Sequence, residues 1–540
     1  MKEKTIILIL LVLASIILKA QQIIPLSVSS DRDVYVSGEI MLVKVFIPIN
    51  DQSKVNYLDL LNLQGKRVSG AILKINNHQA DGFLQLPDSL STGTYILRSY
   101  SKSPANNLKV IKEVWVANRF NGLEKTRQIP RLALNNIDKK SSASIKIENI
   151  QYEVKSNSDN NLAINIDQQF INQIDGDVSI CISQYDNLFK SSSAFVVSEA
   201  KDTTDLLGSK GLILSGLVTD KKTSQPTSGI NVFFTIPDSI PDFQYYKTGF
   251  DGKFYFQLNN YSGLINPFIQ CFSTNQLQRL KITLDDSYTA SELVPSFNLQ
   301  AVTDSFKNNN ARNIDVITFQ KIFEQQPFKI IQEPQKKTNE YPYYGKPNKI
   351  INPHLFIDLP NFTEISRELL SGVKFRNYNN EPTLQILNYA TNSYFEEMPL
   401  TLIDGIPIRN LNLIKDLGTQ DIKRVDICAS ERYYGDLKFP GVVAVYTTKA
   451  DYSNIKETDQ FIHPTLDAVQ PQITLSQSDI NNTTTPDLRQ VLYWAPTIQL
   501  QNIIPVKFRT SAILGKFMIS VRCRLKDGSI VCEEKQFEVK

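Results

Sequence analysis

Catalytic signatures are what this 540-residue chain has least of. It carries three histidines, His78, His354 and His463, far apart in sequence. No Gly-x-Ser-x-Gly elbow, His-Glu-x-x-His helix or phosphate-cradling glycine loop occurs, so a serine nucleophile, a metalloprotease zinc site and a nucleotide loop all lack support. His354 and His463 neighbour prolines in linker-like stretches, which suits solvated side chains. Charge of one sign is also missing: 58 Lys+Arg against 55 Asp+Glu leave a net charge of +3. That field is too weak to mark a nucleic-acid or anionic-membrane surface. Five cysteines are present and none forms a CxxC pair, which removes thiolate metal sites. No cofactor is implied. Asp404, Asp421 and Glu431 could in principle form a glycosidase pair, because the roughly 5–10 Å that matters cannot be read from spacing. Turn or solvated roles suit them better. The stretch SNSDNN at 156–161 reads as a loop before it reads as a calcium site.

Long apolar runs are absent but for one. In MKEKTIILILLVLASIILKAQQ, Lys2 and Lys4 precede an apolar run from Ile6 to Leu18, and Ala20 offers a small residue for cleavage before Gln21. The run falls short of the roughly 20 residues of a spanning helix. Residues 1–20 are therefore expected to be a secretory signal peptide. The remainder is expected to be exported, in the periplasm or attached to the outer membrane, with no transmembrane helix.

Packed cores are well supplied, with 41% hydrophobic and 10% aromatic residues. The length suggests about three to five domains. Strand patterns dominate, with apolar alternation broken by Gly, Asn, Asp and Pro. The expected fold class is mainly β: tandem β-sandwiches of macroglobulin, immunoglobulin and transthyretin-like type, plus one small α+β domain.

Residues 21–118 contain Asp31, Tyr35, Gly38 and Glu39, an Asp-x-x-x-Tyr-x-x-Gly-Glu pattern that resembles the first strands of macroglobulin-type sandwiches. The Cys-Gly-Glu-Gln thioester of that family is nowhere in the chain, so thioester trapping of proteases is not expected. A second sandwich is expected over 141–206. Residues 207–300 resemble the carboxypeptidase regulatory-like domain at Gly216, Val218, Asp220, Thr223, Pro226, Gly229, Val232, Asp251, Gly252 and Phe254. Those are turn and core positions, and the resemblance implies no catalysis. Residues 301–355, rich in Gln, Asn, Lys and Pro, read as a linker. Within them NIDVITF (313–319) resembles, faintly, the short box that contacts the energy-coupling protein TonB; a plain strand is the simpler reading.

Residues 356–450 open with a helix. Asn361 and Glu364 suit a capping box, Phe362, Ile365, Leu369 and Leu370 share a face, and Ser371-Gly372 ends it. A strand, the hairpin PLTLIDGIPI, a short helix near 411–417 and two further strands follow. The order resembles the plug domain of TonB-dependent receptors, matching at 402–407, Asp421, Ile422, Val425, Ile427, Tyr434, Gly435 and 441–449. A receptor barrel needs at least ~200 residues in strands, and far fewer follow Lys449. The resemblance is therefore to a plug without a barrel. Residues 451–540, with Arg489, Tyr493, Trp494 and Pro496, resemble the terminal immunoglobulin-like module of macroglobulin-type secreted proteins; Trp494 reads as a core residue.

In SVRCRLKDGSIVCEE, a two-residue turn at Asp527-Gly528 sets Lys526 opposite Ser529 and Cys523 opposite Cys532. That non-hydrogen-bonded pair, roughly 4.5 Å between Cα atoms, suits a disulfide. Two reduced thiols in a core are the alternative, and export favours the disulfide.

These readings describe a non-enzymatic envelope protein presenting a plug-like module to an outer-membrane barrel or a secretion or transport complex. The alternatives are a structural or adhesive protein with the plug-like domain as spacer and, more weakly, a hydrolase. The expected partner contacts are the aromatic and basic turns at Arg409, Asn410 and Asn412, and at Arg432, Tyr433, Tyr434 and Lys438.

Overall fold

The computed structural model describes residues 26–102, 108–122, 128–132, 142–186, 189, 193–197, 208–238, 240–272, 279–289, 296–331, 340–378, 381–450, 455–476 and 485–540. The expected signal peptide at 1–20 lies outside the described residues. The chain is mainly β and divides into two compact units of interleaved segments. One holds Met1–Leu212, Tyr288–Glu333 and Val469–Lys540; the other holds Ile213–Ser287 and Pro334–Ala468.

The first unit begins with a sandwich. A three-stranded sheet, ordered Ser27–Ser30, Ile40–Phe46, Gln79–Gln85, covers a six-stranded one that includes Val55–Leu61, Gly93–Tyr100 and Leu108–Ala117. Their alternating apolar faces meet in a core with Tyr35, Val43, Leu58, Leu84 and Leu97. The strand Ser193–Val197, expected in the second sandwich, instead extends this front sheet along Leu108–Ala117.

A second correction is larger. The segments read as separate sandwiches at 141–206 and 451–540 share one core. Asp159–Ile166 lies between Ile145–Glu148 and Ile503–Arg509, and Val178–Gln184 lies between Val491–Ile498 and Gly515–Arg524. Ile164, Val178, Ile180 and Ile182 pack with Val506, Phe517, Ile519 and Val521. Period-two alternation identifies the buried face of a strand but not its partner, so a sandwich split by some 300 residues of sequence reads as two halves.

Part of the stretch read as linker is helical, while residues 332–339 lie outside the described residues. Asp304–Ile322 is a helix whose Thr303 side chain accepts from the Phe306 amide, a proper N-cap. Asn313–Phe319 is thus helical, not a strand. The helix was hidden because its buried face includes Asn310, Asn313 and Gln320 beside Phe306, Val316 and Ile317, so no apolar period marks it. Asn310 Oδ1 accepts from Trp115 Nε1 at 3.1 Å, which satisfies both buried polar groups.

In the second unit, the sheet Lys253–Gln257, Ile213–Asp220, Leu280–Leu284 accompanies the sheet Asp242–Lys247, Asn231–Ile236, Phe268–Phe272, Phe461–Ile462. The last of these strands comes from the stretch assigned by sequence to the terminal sandwich. Residues 349–447 form the expected α+β arrangement. A mixed sheet runs Lys349–Ile351, Ile422–Cys428, Val442–Thr447, Leu400–Ile403, Ile406–Ile408, with one parallel pairing between Leu400–Ile403 and Val442–Thr447. Helix Phe362–Glu368, capped by Asn361 Oδ1 accepting from the Glu364 amide at 3.0 Å, and the short helix Asn412–Lys415 bury Phe362, Ile365 and Ile414 against it. Its first strand again lies within the stretch read as linker.

Candidate functional site

The hairpin of the α+β segment turns at Asp404 (φ 49°) and Gly405 (φ 88°). Two consecutive positive φ values define a type I′ turn, which Asp-Gly favours. Sequence reading gave Asp404 a turn role only. Its carboxylate also accepts from the Thr447 amide at 2.7 Å and from Thr447 Oγ1 at 2.6 Å, which ties the turn to the end of the central strand. Burial pushes this carboxyl above its usual range, against the opposing pull of those two bonds. The turn is closed in: a Cβ at Gly405 would lie 2.2 Å from Pro241 Cβ. Gln270 Nε2 donates to the Pro407 carbonyl at 3.1 Å. The hairpin is therefore a docking element within the unit, seated on the sandwich formed by 213–287.

The expected contact residues separate into two sets. Arg409 is exposed yet stacks its guanidinium over the Phe272 ring at 4.4 Å, and the partial desolvation there lowers its pKa. Arg432 Nη2 donates to the Lys346 carbonyl at 2.9 Å. The Tyr434 hydroxyl donates to the Phe243 carbonyl at 3.0 Å, with its ring edge-on to Phe243, Tyr245 and Tyr343. Phe233 links the two groups by packing against both Phe243 and Phe272. These three residues are engaged within the chain. Asn410, Asn412, Tyr433 and Lys438 are exposed. Tyr433, 63% exposed, donates to Glu431 at 2.7 Å, and Lys438 pairs with Glu431 at 2.8 Å.

The front-sandwich motif is a buried charge network. Asp31 Oδ1 accepts from the Leu42 amide and the Tyr35 hydroxyl, both at 2.8 Å. Arg32 Nε donates to Asp31 at 3.0 Å, its Nη2 to Glu39 at 2.9 Å and its Nη1 to Gln490. Burial pushes the Glu39 carboxyl up, while Arg32 pulls it down. Arg32 stays cationic: burial opposes its charge, but Glu39 and Asp31 outweigh it. A cleft of about 390 Å³ opens beside Asp31 and Arg32. Sequence reading marked Asp31, Tyr35, Gly38 and Glu39 as a pattern and passed over Arg32. The available signal was a trio of charges, Asp31, Arg32 and Glu39, within an apolar strand pair.

The proposed disulfide is corrected by register. Leu525 accepts from the Gly528 amide and donates to the Ser529 carbonyl, so Lys526, Asp527 and Gly528 form a three-residue loop. One residue more than a two-residue turn shifts every pair by one and sends alternate side chains to opposite faces. Cys523 now opposes Val531, and Cys532 opposes Arg522. Neither sulfur is in a disulfide, and both are buried. Cys523 lies in the core, where burial pushes its thiol up to about 12, while Cys532 Sγ lies 3.4 Å from Glu534 Oε1. Among the described residues no group of three or more His, Cys, Asp and Glu is placed to hold a metal, and no helix is long and apolar enough to cross a membrane.

No family model matches the chain, and no curated protein matches it. Solved structures align only loosely. A Salmonella alpha-2-macroglobulin reacted with methylamine matches 95% of this chain and 39% of its own, at 9% identity and a TM-score of 0.23. A trypsin-activated alpha-2-macroglobulin from Escherichia coli matches 95% and 41%, at 9% identity and a TM-score of 0.22. A tetra-tandem repeat from the extending region of a large adhesion protein matches 95% and 99%, at 8% identity and a TM-score of 0.14. The chain spans about two fifths of the macroglobulin chains. At these TM-scores the likenesses carry no weight, and the fold class rests on the chain's own sheets.

Proposed function

We propose that this is a non-enzymatic, exported envelope protein that uses its β-sandwiches to present the plug-like segment to an outer-membrane barrel or a secretion or transport complex. The observation that carries the reading is the exposed ribbon Arg432–Tyr434 and Leu437–Phe439. Its inner residues, Arg432 and Tyr434, anchor it to the same unit, which leaves Tyr433 and Lys438 held outward on a rigid base. An exposed tyrosine beside a cation suits the centre of a protein interface. The apolar N-terminal stretch supports export. A structural or adhesive role is the second reading, favoured by the engagement of Arg409, Arg432 and Tyr434 in intramolecular docking, which makes the segment a rigid spacer.

The test is a tagged pull-down of the full chain from detergent-solubilised envelopes, beside a Tyr433→Ala, Lys438→Glu double variant. Near-stoichiometric recovery of an outer-membrane barrel protein, lost in the variant, is expected. Recovery of the chain alone, or equal capture by both, supports the spacer reading instead.

A further inference from the structure

In the first unit a groove of about 880 Å³ lies across the mouth of the composite sandwich. Its size falls within the roughly 300–1,000 Å³ of ligand sites. Trp494 lines it from the edge strand Val491–Ile498 and is not fully buried, while its neighbour Tyr493, on the opposite face of the strand, packs against the composite core. Trp494, read from sequence as core, has only part of its ring against the cluster of Leu42, Phe83 and Ile473.

The polar lining has three properties. The charges balance: Asp81, Asp159 and Asp177 stand with Arg489, Lys507 and Arg509. Two of the cations are already paired, Arg509 with Asp159 at 3.1 Å and Arg489 with Asp487 at 2.7 Å. The remaining polar groups are mostly short amides and hydroxyls such as Asn160, Asn161 and Thr497, which donate and accept without net charge. Gln79 is 4% exposed, and its Oε1 has no hydrogen-bond partner among the described residues, while its Nε2 makes only a 3.4 Å contact with the Asp177 carbonyl. A buried amide oxygen left unsatisfied is costly, and a ligand hydroxyl or the water it orders would relieve it.

We propose that this groove binds a neutral oligosaccharide, with Trp494 as the aromatic surface for a pyranose face and Gln79, Asp81, Asn160 and Asn161 as partners for ring hydroxyls. Balanced charge disfavours anionic and cationic ligands. The exposed part of the Trp494 ring with flanking amides matches a ligand with apolar C–H faces and a rim of hydroxyls. Addition of a peptide strand is disfavoured because Pro496 removes an amide from the edge strand and register shifts interrupt its pairing with Val178–Gln184. The inference rests on the groove alone and is independent of any plug-like activity.

The chain has its own reporter. Of its two tryptophans, Trp115 is 1% exposed and bonded to Asn310, so emission changes on adding a ligand report Trp494. The full chain is titrated with maltohexaose, cellohexaose, xylohexaose and mannohexaose, and with the strand-forming peptide Ac-(Val-Thr)3-NH2. The expected result is a saturable change with at least one hexaose. It should persist at high salt and weaken about tenfold in Asn161→Ala, an exposed position whose loss leaves the fold intact. Calorimetry on Trp494→Ala should show no binding. A flat response to all four sugars, equal affinity in both variants, or a response to the peptide alone overturns the proposal.

Discussion

Arg32 is surrounded by acceptors from three directions: Asp31, Glu39 and, from far along the chain, Gln490. Removing it would strand two buried carboxylates. Arg32→Ala should therefore cost about 3–5 kcal/mol of unfolding free energy, read from urea midpoints at unchanged slope. Lys44 supplies a pH test. Burial holds its amine down to about 8 from the ordinary 10.5, with Asp81 pulling the other way from 4.0 Å. Between those two values the unfolded chain carries a proton that the folded chain has released. The stability due to this residue is thus lowest below pH 8 and rises as pH climbs toward 10.5, by something of order 1–3 kcal/mol. The difference in urea midpoint between the natural chain and Lys44→Met, followed from pH 7 to 10, should trace that rise; a flat difference would refute the assignment. Sequence reading marked Asp31, Tyr35 and Glu39 as a pattern. Their chemistry stayed hidden because Gln490, which completes the network, is some 450 positions away.

At the scale of elements, turns were the most legible feature and turn length the least. The Asp404-Gly405 turn was recognised from its dipeptide, and the structure gives it type I′ geometry. Gly405→Ala should lower stability by about 1–3 kcal/mol, visible as a lower Tm, because a Cβ there combines a positive φ with collision into Pro241. Asp527-Gly528 carries the same dipeptide yet closes a three-residue loop, and that single extra residue separates Cys523 from Cys532. Thiol titration in denaturant without reductant should count five free thiols, and a reductant should leave the Tm unchanged. A count of three would restore the disulfide. The helix Phe362–Glu368 was readable from its cap and apolar face, whereas Asp304–Ile322 was not, because it buries amides satisfied by tertiary partners that no local pattern records.

Across the whole molecule, strand content and the mainly β class were plain from alternation, but domain limits were not. The composite sandwich draws its sheets from 145–184 and 491–539, and its core needs both. The two segments should accordingly exchange their amide hydrogens as one cooperative unit in native-state experiments under mild urea, with a common opening free energy. Independent opening of 145–184 would contradict a shared core. The candidate contact residues were legible as exposed turns only in part, since Tyr434 turns inward to Phe243, Tyr245 and Tyr343 and Arg432 donates to the Lys346 carbonyl.

This division of a single core has a bearing on biosynthesis. While the chain is being made, the strands at 145–184 leave the ribosome long before their partners exist, and their apolar faces must be kept apart until 491–539 follow. A product broken off ahead of Val491 would retain that sticky surface permanently. The late strands thus act as a checksum: folding can finish only on a chain whose distant segments have both been made, and shortened copies declare themselves to the cell's degradative machinery.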